Sequence, residues 1–267
     1  MITGLVSLQL MQFFMNVDSV SGTFGTMKKI AQIMDTDSEP DGGEPVPEVC
    51  ADIEFDNVSF AYAGGQDVIK NLSVKIPMGK VTAVIGGNGA GKSTLFKLLL
   101  HLYEPKSGEI RFGGDGIGKY SLTDWRDRFA VVPQRNPLIG GTVRENIAYG
   151  LDREVSDEEL AETARRANFS GGQGQCISIA RAMLRNADYL LLDEATSNLD
   201  VVSEAEVTGA MDELMRDKTT IMIAHNYAAT RNADYIIVMK DGAVEAAGTP
   251  DELLKTNEYY KMFVKTL

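Results

Sequence analysis

The sequence is poor in cysteine and in positive charge. Only two cysteines occur in 267 residues, which excludes a disulfide framework and fits a reducing, cytosolic setting best. Lysine and arginine together number 26 against 38 acidic residues, giving a net charge of −12. Because phosphate backbones bind basic surfaces, this balance argues against a nucleic-acid partner. The hydrophobic fraction of 44% is nonetheless ample for a large core.

The N-terminal region has no hydrophobic run long enough to be a membrane span. Met1 to Met15 is mostly apolar but interrupted by polar residues, too short to cross a bilayer, and without the basic flank of a secretory signal. Three interpretations stay open: an amphipathic helix, the inner end of a membrane helix that starts outside this chain, or a terminal core helix. Residues 36–49 are acidic and rich in proline and glycine, which indicates a linker, and we expect the globular domain to begin near Cys50.

Glycine is plentiful, and one glycine-rich segment organises the chain. It lies between the apolar run 81–85 and a helix-like run at 95–100. A buried strand, a Gly-x-x-x-x-Gly-Lys-Ser turn and a helix start, in this order, predict a nucleoside triphosphate site. Lys92 would reach the outer phosphates, and the Ser93 hydroxyl would be a ligand of Mg²⁺. The other residues of this predicted loop are Gly86, Gly87, Asn88, Gly89, Ala90, Gly91 and Thr94.

The remaining sequence alternates between strand and helix patterns. Two antiparallel strands are predicted before the loop, from Ile53 to Tyr62 with a bulge at 56–57, and through Leu72 to Ile76. After the loop the patterns predict helices at 123–129, 156–168, 177–184 and around 207–214, with Ser156 and Glu159 as a capping box. They also predict strands at 130–132, 189–192, 221–224 and 235–239, and a last helix from Thr249. This order predicts an α/β fold: a mainly parallel sheet flanked by helices, with an antiparallel flap beside the phosphate loop.

Polar residues follow two of the predicted parallel strands. Asp193 and Glu194 end the run 190–192, at the strand terminus where open α/β sheets bind ligands. One acid there can hold Mg²⁺ and the next can polarise an attacking water, whereas a solvated acidic turn is the alternative. His225 follows the strand 221–224. A lone histidine is usually a core or rim residue, but from this edge a neutral imidazole would hydrogen-bond a γ-phosphate.

A second glycine-containing turn precedes the predicted helix 177–184. It consists of Ser170, Gly171, Gly172 and Gln173, and offers backbone N–H groups, a hydroxyl and a helix dipole to an anion. Two such turns in one chain suggest a nucleotide held between two copies.

Together, these motifs resemble the ATP-binding domain of ABC transporters, and more narrowly of exporters in which a membrane domain precedes the ATPase on one chain. The resemblance covers essentially residues 1–267. Gly86–Thr94 resembles the Walker A loop, 190–194 the Walker B strand, and 170–173 the signature motif. Further matches are Gln134 with the Q-loop glutamine, Ser197 to Asp200 with the D-loop, Ile223 to His225 with the H-switch, and Tyr62 with the aromatic residue that stacks on adenine.

The resemblance implies a P-loop NTPase core at 50–267 that binds ATP and Mg²⁺ and hydrolyses ATP. In this family's terms Glu194 is the general base, assisted by Gln134, His225 and Lys92. The metal ligands would be Ser93, Gln134 and Asp193, while Ser170 to Gln173 and Asp200 would contact ATP held by a second ATP-binding domain, identical or different. The other implied partner is an exporter's transmembrane domain at the cytoplasmic face of a membrane, with residues 1–35 as the cytosolic end of its last helix.

One departure from the family concerns its helical subdomain, expected at about 136–177. Only 36 positions separate Gln134 from Ser170, where family members carry a further helix and loop. We therefore predict a reduced helical subdomain. Gly174 and Cys176 also replace basic or long polar residues, and Asn226-Tyr227 replaces a common Arg-Leu pair. These differences leave two alternatives open: an ATP-binding module impaired in hydrolysis, or a soluble ABC-type ATPase outside transport.

Overall fold

A computed structural model describes residues 24–35, 39, 42–167, 174–193 and 201–265, without the side chains of 201–206. These residues fall into two units that divide between Asp41 and Gly42. In the first unit, residues 24–34 form helix α1, whose large apolar side chains are exposed. Among the described residues, no helix is both long and apolar enough to cross a bilayer. The apolar stretch from Met1 to Met15 lies outside the described residues.

The second unit contains ten strands and eight helices in the described part of the chain. The strands are β1 (Ile53–Ala61), β2 (Asp67–Ile76), β3 (Val81–Gly86), β4 (Ser107–Phe112), β5 (Asp115–Gly116), β6 (Phe129–Val132), β7 (Tyr189–Asp193), β8 (Thr219–Ile223), β9 (Tyr235–Lys240) and β10 (Ala243–Gly248). The helices are α2 (Lys92–Leu99), α3 (Leu122–Asp127), α4 (Val143–Ile147), α5 (Asp157–Arg166), α6 (Gly174–Arg185), α7 (Val201–Met215), α8 (Pro250–Thr256) and α9 (Glu258–Lys265).

The larger sheet has six strands in the order β10-β9-β3-β8-β7-β6. Adjacent strands in this sheet are parallel, except that β10 pairs antiparallel with β9. Its side chains alternate between two cores: Ala83 and Ile85 of β3 pack with residues of α6 and α7, while Val84 packs with the smaller sheet. The predicted mainly parallel sheet, covered on both faces, is confirmed.

The smaller sheet is antiparallel, with the order β2-β1-β4-β5, and is the predicted flap. The pairing of β1 with β2 shifts register between Phe55 and Val58, and Asn57 has a φ of 51°. This is the predicted bulge. The sequence patterns did not predict β4, β5 or the edge strand β10.

Three helix predictions need correction. Helix α3 ends at Asp127, because Phe129 is buried as the first residue of β6, opposite Tyr189. At α5 the predicted capping box is half formed: the Ser156 hydroxyl accepts from the Glu159 N–H, but the Glu159 carboxylate pairs with Arg153 at 2.6 Å. The C-terminal helix is interrupted at Asn257, so the domain closes with α8 and α9.

Part of the expected linker is attached to the domain. The Glu44 N–H donates to the Lys119 carbonyl at 2.8 Å, and the Ser121 N–H donates to the Glu44 carbonyl at 2.9 Å. A Cβ added at Gly43 would lie 2.5 Å from the Tyr120 carbonyl carbon, so this approach requires glycine. The compact unit thus begins at Gly42 rather than near Cys50.

Candidate functional site

Four predicted parts of the site lie at one edge of the larger sheet: the glycine-rich loop, Gln134, Asp193 and His225. The neighbouring parallel strands β3, β8, β7 and β6 all end there. The glycine-rich loop begins at Gly86, Asp193 ends β7, Gln134 lies two residues after β6, and His225 two residues after β8. This edge is where open α/β sheets bind ligands.

The geometry of the loop explains its glycines. Gly86 has a φ of 151°, and a Cβ there would lie 2.2 Å from the Met239 carbonyl oxygen of β9. Gly91 has a φ of 100°, and its Cβ would lie 2.7 Å from Cδ1 of Ile69. Side chains at either position would push the loop away from the two sheets that flank it.

Lys92 places its ammonium group inside the loop. The residue is only 6% exposed, and its Nζ donates to the carbonyl oxygens of Gly86 at 2.8 Å and Gly87 at 3.1 Å. Helix α2 starts at this lysine, and among the described residues no side chain caps its first turn. A positive charge and uncapped helix N–H groups therefore face the same concavity, which suits a polyphosphate.

That concavity is a cavity of about 230 Å³. It is lined by Val68, by every residue from Asn88 to Thr94, and by His225. The structure thus brings the predicted phosphate loop and the predicted phosphate-sensing histidine to one cavity, although they are more than 130 positions apart in the sequence.

Comparison with known proteins identifies this arrangement. Residues 69–197 match the sequence profile of the family described as "ABC transporter". The solved structure of a bacterial Atm1-family ABC exporter with ATP bound has a similar fold, with a TM-score of 0.79 and 29% identity. The superposition covers 89% of this chain and 46% of the exporter chain. This chain contains an ABC transporter ATP-binding domain. The α/β fold of this ABC domain is the P-loop fold predicted from the sequence, and it is similar to that of the exporter.

Curated relatives agree. The ATP-dependent lipid A-core flippases of Escherichia coli (strain K12) and of Salmonella paratyphi A are each 38% identical, over 87% of this chain and 44% of their own length. The chain thus spans less than half the length of these relatives. The alignment with the Escherichia coli relative has 258 positions, which is more than the 87% of this chain's 267 residues that it covers. The relative therefore has residues inside the matched region that this chain lacks. The reduced helical subdomain at about 136–177 stays a prediction.

The donor set of the ABC domain fits Mg²⁺. Ser93 is exposed in the first turn of α2, Asp193 is half-buried at the end of β7, and Gln134 is exposed beyond β6. Hydroxyl, carboxylate and amide carbonyl oxygens are ligands that a hard cation prefers. Within the described residues no group of three or more histidine, cysteine or acidic side chains could hold a metal, so Mg²⁺ would depend on this mixed set and on phosphate oxygens.

Several predicted site residues lie outside the described residues: Ser170, Gly171, Gly172, Gln173, Glu194 and Asp200. Helix α6 begins at Gly174, directly after the second glycine turn in the sequence, and the Asn136 amide donates to the side-chain oxygen of Gln175. A Cβ at Gly174 would lie 3.3 Å from that of Asn136. The segment following Gln134 is therefore in contact with the helix that follows the predicted signature turn.

The structure adds residues around Tyr62 that sequence reasoning missed. The Tyr62 hydroxyl lies 3.2 Å from Oγ1 of Thr94 and accepts from Nζ of Lys97 at 3.3 Å. Its ring contacts Phe60 and Tyr103 edge-on, with centroids 4.9 and 5.3 Å apart. Lys97 was detectable in principle, because it lies four residues after Ser93 and three after Thr94 on a predicted helix, hence on the same face.

We expect Gly86→Ala to destabilise the ABC domain, because its Cβ would collide with the β9 backbone in a conformation that favours glycine. The free energy of unfolding should fall by about 1–3 kcal/mol, measured by urea denaturation. Gly87→Ala is the matched control, since its Cβ meets no atom within 4 Å and its φ is not positive. Equal stability of the two variants would contradict the strained geometry at Gly86.

Proposed function

We propose that this chain is the ATP-binding and ATP-hydrolysing portion of an exporter, and that two such domains close head to tail on ATP to drive substrate across a membrane. The observation that carries this proposal is the shared cavity of the phosphate loop and His225. It occurs in a domain similar to an ATP-dependent flippase and to an exporter solved with ATP bound.

ATP would lie across the two sheets. The loop from Gly86 to Thr94 would surround the phosphates with backbone N–H groups, and Lys92 would pair with the β- and γ-phosphates. Tyr62, which directly follows β1 of the smaller sheet, would stack against adenine. The half-buried position of its ring beside Thr94 supports this role.

Hydrolysis would require groups from several strand ends. Glu194 would accept a proton from the attacking water, while Gln134 and His225 would position that water and the γ-phosphate. Ser93, Gln134 and Asp193 would hold Mg²⁺, which supplies charge neutralisation at the phosphates when bound. The placement of Gln134, Asp193 and His225 at one edge of the sheet supports this division of roles.

The site would be completed by a second ATP-binding domain, identical or different. Ser170 to Gln173 and Asp200 of one domain would contact ATP on the other. The transmembrane partner would connect through residues 1–35, as the end of its last helix at the cytoplasmic face of the membrane. The exposed apolar residues of α1 support such packing: Phe24, Met27, Ile30, Ile33 and Met34 are each at least half exposed.

A second candidate function is an ATP-binding module that does not hydrolyse. It is favoured by the 36 positions between Gln134 and Ser170 and by the residues that the flippase has inside the matched region but this chain lacks. A shortened helical subdomain would misplace the signature turn relative to the partner's ATP, leaving binding intact.

One set of measurements on the full chain separates these functions. ATP binding is followed by calorimetry, phosphate release by a coupled assay, and mass by light scattering with and without ATP. The proposal expects binding, turnover that EDTA abolishes, and a dimer that depends on ATP. Binding without turnover would favour the module, and absence of ATP binding would contradict both functions.

A further inference from the structure

Lys97 is positioned to act on the base-binding ring rather than on the phosphates. It lies on the exposed side of α2, and its Nζ is 5.3 Å from the centroid of the Tyr62 ring and 3.3 Å from the hydroxyl oxygen. Tyr62 follows β1 in the smaller sheet, 35 positions earlier. Within the described residues, the Tyr62 hydroxyl oxygen is the acceptor of the Lys97 ammonium group.

The chemistry of these groups fixes the direction of the hydrogen bond between Lys97 and Tyr62. An ammonium group only donates, so the Tyr62 oxygen accepts from Lys97. The phenol's own hydrogen is then available to Thr94, whose Oγ1 is 3.2 Å away. Thr94 is 7% exposed and lines the phosphate cavity. The resulting polar chain runs from Lys97 through Tyr62 to Thr94, at the edge of that cavity.

Aromatic neighbours restrict the same ring from its edges. Phe60 and Tyr103 contact the Tyr62 ring at interplanar angles of 83° and 88°. These two rings also contact each other, with centroids 5.4 Å apart. A tyrosine held at its hydroxyl and by two edge-on rings loses little rotamer freedom when a base stacks on it, which lowers the entropic cost of binding.

We propose that Lys97 is a positioning residue for nucleotide recognition. Through the Tyr62 hydroxyl it holds the ring ready for a purine base. This inference rests on the proposed function, because it requires ATP to bind at the loop. It concerns the base half of the nucleotide alone, so it predicts a selective loss of base recognition.

The test compares two ligands that share the phosphates but differ in the base: Mg·ATP and Mg·tripolyphosphate, each titrated into the full chain by calorimetry. We expect Lys97→Met to raise the Kd for ATP about threefold to tenfold and to leave the Kd for tripolyphosphate unchanged. Lys255→Met, in α8, is the control with the same loss of charge. Equal weakening of the binding of both ligands would overturn the inference, since it would reveal a simple charge effect. The inference would also be overturned if Lys97→Met bound ATP as tightly as Lys255→Met does.

A double-mutant cycle tests whether Lys97 acts through the hydroxyl. In a Tyr62→Phe background, the change caused by Lys97→Met should shrink to about twofold or less, because only the contact over the ring remains. Lys97→Arg should retain wild-type affinity, since it keeps a cation with donor groups. An unchanged effect of Lys97→Met in the Phe background would overturn the role. A wild-type chain that does not bind ATP would overturn the proposed function and this inference together.

Discussion

Glu194→Gln is expected to bind ATP as tightly as the wild-type chain and to release phosphate at least about 100-fold more slowly. Glutamine keeps the size of the side chain and its carbonyl oxygen, but it cannot accept the proton of the attacking water. Since we propose that the loop and Lys92 bind ATP in the ground state, the Kd should not rise. Only the rate of phosphate release should therefore change.

Calorimetry and a single-turnover assay measure the two quantities separately. Glu258→Gln, on the exposed surface of α9, removes one acidic group without touching the cavity and serves as the control. Undiminished phosphate release by Glu194→Gln would remove Glu194 from the role of general base. A loss of ATP binding in the same variant would instead assign it to the binding site.

Lys92→Met is expected to weaken ATP binding about 100-fold or more. A hydrogen bond to a charged group contributes about 1.5–3 kcal/mol, and Lys92 is predicted to make such bonds to two phosphates. Each 1.4 kcal/mol is a factor of ten in Kd. The substitution also leaves the carbonyl oxygens of Gly86 and Gly87 without the donor that now holds them, so the loop loses a constraint on its shape.

Tripolyphosphate distinguishes Lys92 from Lys97. Lys92→Met should weaken ATP and tripolyphosphate alike, whereas Lys97→Met should weaken ATP alone. Urea denaturation of Lys92→Met checks that the fold survives. A variant that is stably folded and binds ATP with wild-type affinity would contradict the placement of triphosphate at this loop.

The phosphate loop could be predicted from the sequence because its signals are local. Its glycines, Lys92 and Ser93 lie within nine residues, and the geometry of this turn requires glycine at Gly86 and Gly91. The sheet edge could be predicted as well, since the runs that form β7 and β8 are continuous and apolar and are followed by Asp193 and His225. Because β7 and β8 are parallel neighbours, Asp193 and His225 lie at the same edge of the sheet.

Features that depend on contacts between distant segments could not be predicted in this way. Phe129 fits a helix pattern, but its burial against Tyr189, 60 positions away, draws it into β6. Lys97 looks like an ordinary surface lysine in the sequence, and only the fold places Tyr62, which follows β1, beside it. Gly43 reads as linker, yet it lies against the backbone at Tyr120. In each case tertiary contact overrides the local pattern.

The turn between β9 and β10 has a consequence for how the domain would respond to nucleotide. Gly242 lies against the backbone of β2, where its added Cβ would be 2.3 Å from the Val68 carbonyl oxygen, and its own carbonyl accepts from the Lys70 N–H at 2.8 Å. This turn joins the two sheets on one side of the cavity. A ligand with both base and phosphates would add a second connection between the sheets through Tyr62, acting as a removable cross-link, whereas tripolyphosphate would lack the contact with Tyr62. The Lys70 amide is thus a natural reporter, because its exchange with solvent should slow with ATP more than with tripolyphosphate.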